Sequence, residues 1–104
     1  MTVNATIDTM VERIVQRFQP LRIILFGSHA RGSAATDSDV DLLVVLREAI
    51  DKRSTTVEIR RALGDLPVSK DIVVTTPEEI ARRGDLVGSV LRPALREGTV
   101  LYER

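Results

Sequence analysis

Apolar residues along this chain fall into two kinds of pattern, and the pattern divides it into helices and strands. Between Asn4 and Phe18, Ile7, Met10, Val11, Ile14, Val15 and Phe18 recur at three- and four-residue spacings, the stripe of an amphipathic helix. Pro20 closes it. Leu21–Phe26 (LRIILF), Val40–Leu46 (VDLLVVL) and Asp71–Thr75 (DIVVT) are short apolar runs; their length and β-branched content predict buried strands. Ser28–Ser38 is rich in small and polar residues and reads as a loop with room for one helical turn. Thr55–Leu63 predicts a short helix with Val57, Glu58, Arg60 and Arg61 partly exposed. Thr76-Pro77-Glu78-Glu79 predicts a helix start, with Thr76 as cap, Pro77 in the first position and Glu79 completing a capping box. After a break at Gly84-Asp85, the residues Leu86, Val87, Val90, Leu91, Ala94 and Leu95 predict a last helix. Pro93 sits in its early turn or kinks it, and Gly98 stops it. Thr99–Tyr102 could add a final strand. Two successive strands without a full helix between them predict an α+β fold, a small mixed β-sheet flanked by helices.

Composition narrows the chemistry. The chain has 104 residues, 15 Lys+Arg against 15 Asp+Glu, and a formal net charge of zero. That length suits a single domain over residues 1–104. Zero net charge speaks against a dedicated nucleic-acid or membrane-surface binder. There is no cysteine and one histidine, His29. Disulfides, thiolate nucleophiles and Cys-based metal sites are therefore excluded, and a Ser–His relay is disfavoured. No apolar run approaches the ~20 residues that span a bilayer. The opening MTVNATIDTM lacks the features of a signal peptide, so a cytoplasmic location is expected. Carboxylates, hydroxyls, arginines and backbone groups remain.

Asp is depleted in strands, yet Asp39 and Asp41 introduce the second one. Side chains alternate along a strand, so the two share a face with Cα atoms roughly 6.5 Å apart. Such a pair repels by about 1–4 kcal/mol at surface-like dielectric. A divalent cation with a preference for oxygen, Mg²⁺ or Mn²⁺, would relieve it; the other reading is a solvated strand entry with two incidental acids. Asp71 opens the third strand in the same way. If the second and third strands are neighbours, three acids meet, a set able to hold two metals about 3.5–4 Å apart for phosphoryl or nucleotidyl transfer. Its alternative is an ion pair with Lys70 or an arginine. Gly27-Ser28 follows the first strand. The glycine permits close backbone approach and a helical turn at Ser28 would offer N–H groups to phosphate. The spacing is neither that of a P-loop nor G-x-G-x-x-G.

Together Gly27-Ser28, the Asp39-x-Asp41 pair and Asp71, within the string F-G-S-x-A-R-G-x5-S-D-x-D-L-L-V from Phe26 to Val44, resemble the DNA polymerase beta-type nucleotidyltransferase superfamily. The likeness is greatest to its minimal nucleotidyltransferase (MNT) proteins, and it extends through T-P-E-E-I to Glu97–Tyr102. The resemblance implies the polymerase beta-type nucleotidyltransferase fold. It implies ATP as substrate and Mg²⁺, two ions, as cofactor, with AMP transferred to a hydroxyl and pyrophosphate released. Carried over, Gly27 and Ser28 would hold the β- and γ-phosphates. Asp39 and Asp41 would bind metal, and Asp71 would bind the second metal and help deprotonate the acceptor. Arg31 would neutralise triphosphate charge or form a structural salt bridge to one of the acids. Ser38 would cap or orient the strand entry. His29 falls at a variable position and Asp37 at none, and both read as surface residues. Arg60-Arg61 and Arg82-Arg83 read as exposed helix faces, with partner docking as the other use.

Stand-alone MNT proteins resemble antitoxins paired with HEPN-domain toxins, whose tyrosine they adenylylate. The expected function is therefore a protein adenylyltransferase antitoxin acting on a HEPN-type partner in a hetero-oligomer. The alternatives are an antitoxin that masks its partner without catalysis, or a nucleotidyltransferase acting on a small molecule or RNA end.

Overall fold

The first helix forms as its stripe predicts: α1 runs Val3–Phe18 and turns Thr6, Ile7, Met10 and Ile14 inward. It ends where Gln19 takes a positive φ of 51° ahead of the buried Pro20. The structure, a computed structural model, describes residues 3–32, 38–49, 51–84 and 91–104. The expected break at Asp85, the first part of the last predicted helix (Leu86, Val87 and Val90) and the loop acid Asp37 lie outside the described residues.

Four strands follow the apolar runs: β1 Arg22–Phe26, β2 Val40–Val45, β3 Lys70–Thr75 and β4 Thr99–Glu103. They pair in the order β3-β2-β1-β4. β1 is antiparallel to both β2 and β4, while β2 and β3 are parallel, so the sheet is mixed as predicted. A parallel pair needs a crossover, and α3, Lys52–Ala62, supplies it. A single turn, α2 Ser28–Arg31, leads out of β1. The helices α4, Pro77–Arg83, and α5, Leu91–Glu97, lie between β3 and β4. None of the described helices is long and apolar enough to cross a membrane.

Both faces of the sheet are covered. On one, Val40, Leu42 and Val44 of β2 and Ile72 and Val74 of β3 pack with Ile7, Met10 and Ile14 of α1 and Ile59 of α3. On the other, Ile24, Leu43 and Val45 pack with Leu91 and Ala94 of α5. Central strands buried on both sides explain why β2 reads as a continuous apolar run after its opening acids.

One helix start and one capping box differ from expectation. α3 begins at Lys52, ahead of the predicted Thr55, because the Asp51 carboxylate accepts from the N–H of Arg53 at 3.1 Å and of Ser54 at 3.2 Å. α4 is capped as predicted, with Thr76 Oγ1 accepting from the Glu79 N–H at 3.2 Å. The capping box is not completed, however, since the Glu79 carboxylate accepts from Thr75 Oγ1 at 2.6 Å and Lys52 Nζ at 2.7 Å. Burial raises the Glu79 carboxyl pKa, but these two donors outweigh it and leave it below the usual value. Glu79 thereby fastens the start of α4 to the end of β3 and the start of α3. Thr76→Ala should lose about 1 kcal/mol, roughly 4–8 °C of melting temperature for a domain of this size. An unchanged midpoint in a thermal melt would show that this cap contributes nothing.

Candidate active site

Parallel strands begin at the same end of a sheet, and here that brings two acids together. In the β2–β3 register Asp41 is the direct partner of Asp71. Both stand on the face that carries Leu43, Val45 and Val73, because side chains alternate. On the other side of β2, the antiparallel register sets Phe26 opposite Asp41, so the chain leaving β1 passes beside the Asp41 carboxylate. The residue at that point is Gly27. Its backbone has φ 73° and ψ −155°, a region open essentially to glycine alone. A Cβ added there would lie 2.2 Å from Asp41 Oδ2. Conformation and close approach independently require glycine.

Burial raises the Asp41 carboxyl pKa, and the charges of Asp71 and then Asp39 raise it further; His29 and Arg31 partly offset this. The three acids are thus near enough to repel at Asp41. Asp39 precedes the strand and is exposed. Asp71 is exposed too, and its Oδ1 accepts from Arg60 Nη2 of α3 at 3.2 Å. The sheet therefore unites Asp41 and Asp71, and the ion pair considered for Asp71 is also present. Arg60 is accordingly more than an exposed helix residue.

Among the described residues, no three His, Cys, Asp or Glu side chains close around one point as metal ligands. The donor set nevertheless has the right chemistry for a hard divalent cation. Asp39, Asp41 and Asp71 offer only carboxylate oxygens, and the crowding of negative charge at Asp41 is what a cation relieves.

The one-turn α2 carries the remaining expected residues. Ser28 and His29 are half-buried, and Arg31 is exposed. Arg31 acts on Asp41 through its charge, but makes no ion pair among the described residues, contrary to the structural salt bridge considered for it. His29 differs from the expected loop surface residue. It lies within α2, and its ring Nε2–H donates to the Ser38 carbonyl at 3.0 Å, tying the turn after β1 to the entry of β2. The sequence carries no spacing rule for such a bond, and the only available signal was proximity to the motif. A separate cleft of about 510 Å³ opens at the opposite end of β2 and β3, lined by Arg47, Lys52, Glu79 and Arg82 among others. It lies at the other end of the strands from the acids, and four of its charged side chains are paired as Lys52–Glu79 and Arg82–Glu78.

Comparison with known proteins adds three findings. A family model described as a nucleotidyltransferase domain matches residues 7–99. A Methanocaldococcus jannaschii protein that bears the provisional name protein adenylyltransferase is 42% identical over 52 residues. That match takes in 48% of this chain and 35% of the relative, so the chain spans about a third of that protein's length. Among solved structures, one described provisionally as a minimal nucleotidyltransferase is 30% identical, with 95% of each chain covered and a TM-score of 0.57. A second, a tri-AMPylated Shewanella oneidensis HEPN toxin in complex with an MNT antitoxin, is 14% identical, with 97% of this chain and 72% of that one covered and a TM-score of 0.59. At that identity the likeness is one of fold.

Proposed function

Because this chain belongs to the nucleotidyltransferase domain family, we propose that it moves AMP from ATP to a hydroxyl, a tyrosine, of a HEPN-type toxin and so acts as its antitoxin. The observation that carries this reading is the register that sets Asp41 opposite Asp71, beside a glycine with no room for a side chain. Binding alone would need neither the paired acids nor the glycine. A protein acceptor is further supported by the zero net charge, which suits a protein surface better than a polyanion.

In this reading Gly27 and Ser28 hold the β- and γ-phosphates at the turn after β1, and Arg31 adds positive charge beside them. Asp39 and Asp41 would hold Mg²⁺, joined by Asp71 for a second ion. When bound, the metal would polarise the triphosphate and neutralise charge as it develops. The acceptor oxygen forms its bond to the α-phosphorus while the bond to the pyrophosphate oxygen breaks. Asp71, exposed at the start of β3, draws the proton from the attacking hydroxyl. The provisional adenylyltransferase name of the M. jannaschii relative and the AMPylated toxin in the S. oneidensis complex support this choice of donor and acceptor.

The test is transfer of label from ATP, with Mg²⁺, to a co-purified HEPN partner, located by mass spectrometry. Label on a partner tyrosine is expected. If no label appears, and a variant lacking Asp39 and Asp41 still binds and neutralises the toxin, the protein masks its partner and the catalytic reading falls.

A further inference from the structure

Of the three acids, Asp71 alone is in an ion pair among the described residues, and its partner comes from the crossover helix. Arg60 lies near the C-terminal end of α3, the helix joining the two strands that carry Asp41 and Asp71. Its guanidinium meets Asp71 Oδ1 at 3.2 Å, with 51% and 55% of the two side chains exposed. A pair this exposed is weak, because water screens it and both side chains lose freedom in making it. A cation seeking Asp71 must therefore approach a carboxylate whose Oδ1 already meets a positive charge.

We propose that Arg60 is a positioning residue that competes with the divalent cation for Asp71. It holds the third carboxylate away from the metal until the triphosphate brings negative charge to balance both. The inference rests on the metal-dependent reading above. The guanidinium repels a divalent ion a few ångströms away, and the weakness of the exposed pair lets Asp71 change partners when the site is loaded. Asp41, with no such partner among the described residues, remains available throughout. Loading of the last ligand thus becomes conditional on nucleotide, and idle metal occupancy is suppressed.

The test is a Mn²⁺ titration followed by electron paramagnetic resonance, with and without a non-hydrolysable ATP analogue, so that no turnover enters the readout. Without nucleotide, Arg60→Gln should bind Mn²⁺ about three- to tenfold more tightly than wild type, as expected for removing one positive charge near a divalent ion in a largely solvated setting. Arg60→Lys, which keeps the charge, should match wild type. Arg61→Gln makes the same charge change on an exposed neighbour and should have no comparable effect. In an Asp71→Asn background the gain from Arg60→Gln should shrink, because the contested carboxylate is gone and only the through-space repulsion remains. Affinity no tighter in Arg60→Gln, an equal gain in Arg61→Gln, or a gain undiminished by Asp71→Asn would each overturn the competition. If wild type and Arg60→Gln both bind no Mn²⁺, even with nucleotide, the metal reading itself fails.

Discussion

Asp41→Asn should lose about a thousandfold or more in transfer, the several kcal/mol of charge stabilisation that a bound metal supplies, while becoming more stable than wild type at neutral pH. The sign follows from the raised pKa of the Asp41 carboxyl, caused by burial first and by Asp71 and Asp39 next. A group whose folded pKa lies above its unfolded value contributes stability that is fully present below the unfolded pKa and is lost as pH rises through the folded one. At neutral pH the ionised Asp41 is therefore a liability, and the isosteric amide removes it. Thermal melts should show the Asn variant above wild type at pH 7, with the gap closing as the pH falls below the ordinary carboxylate range. A variant that keeps its activity would sink the proposed role of Asp41. One that melts lower at pH 7 would contradict the electrostatic account of the site.

Gly27→Ala is the second large effect. The backbone at φ 73°, ψ −155° costs an L-residue of order 1–3 kcal/mol. The new methyl also meets Asp41 Oδ2 at 2.2 Å, so turn or carboxylate must move. A displacement near 1 Å at such a site can cost about 10²-fold in rate, and a loss of that size in labelled-AMP transfer is expected. The two contributions separate in a double-mutant cycle. With Asp41→Ala only the Cβ of residue 41 remains beside the new methyl, at 3.6 Å, an ordinary distance. Gly27→Ala should then cost less than in wild type, with the backbone part remaining. Destabilisations that simply add would refute the contact.

How much of this could be read in the sequence depends on the distance over which each feature is specified. Helix α1 and the first three strands are local, and their apolar spacing found them, while β4 was readable only as a possible addition. The meeting of Asp41 with Asp71 was readable only as a condition on neighbouring strands, because propensity says nothing about which strands pair. The F-G-S…S-D-x-D string removed that ambiguity by resemblance. Contacts made across the fold stayed hidden. Arg60 and Asp71 are eleven residues apart, and only the path of the crossover brings them together. Glu79 has the spacing of a capping-box residue, yet Lys52 and Thr75 offer its carboxylate stronger partners than the Thr76 N–H. His29 fell at a motif position that tolerates many residues, and nothing in its neighbours announced a bond to the Ser38 carbonyl.

The parallel pairing of β2 with β3 also polices its own alignment. Slipping β3 by one residue would turn each of its side chains to the opposite face. Asp71 would then point among Val40, Leu42 and Ile59, residues that are fully buried. An ion buried there without a partner costs several kcal/mol, and Ile72 and Val74 would leave their core at the same time. The misaligned sheet is therefore disfavoured by the very carboxylate whose position it would spoil. A chain that has folded with its core intact has, by that fact, aligned its acids.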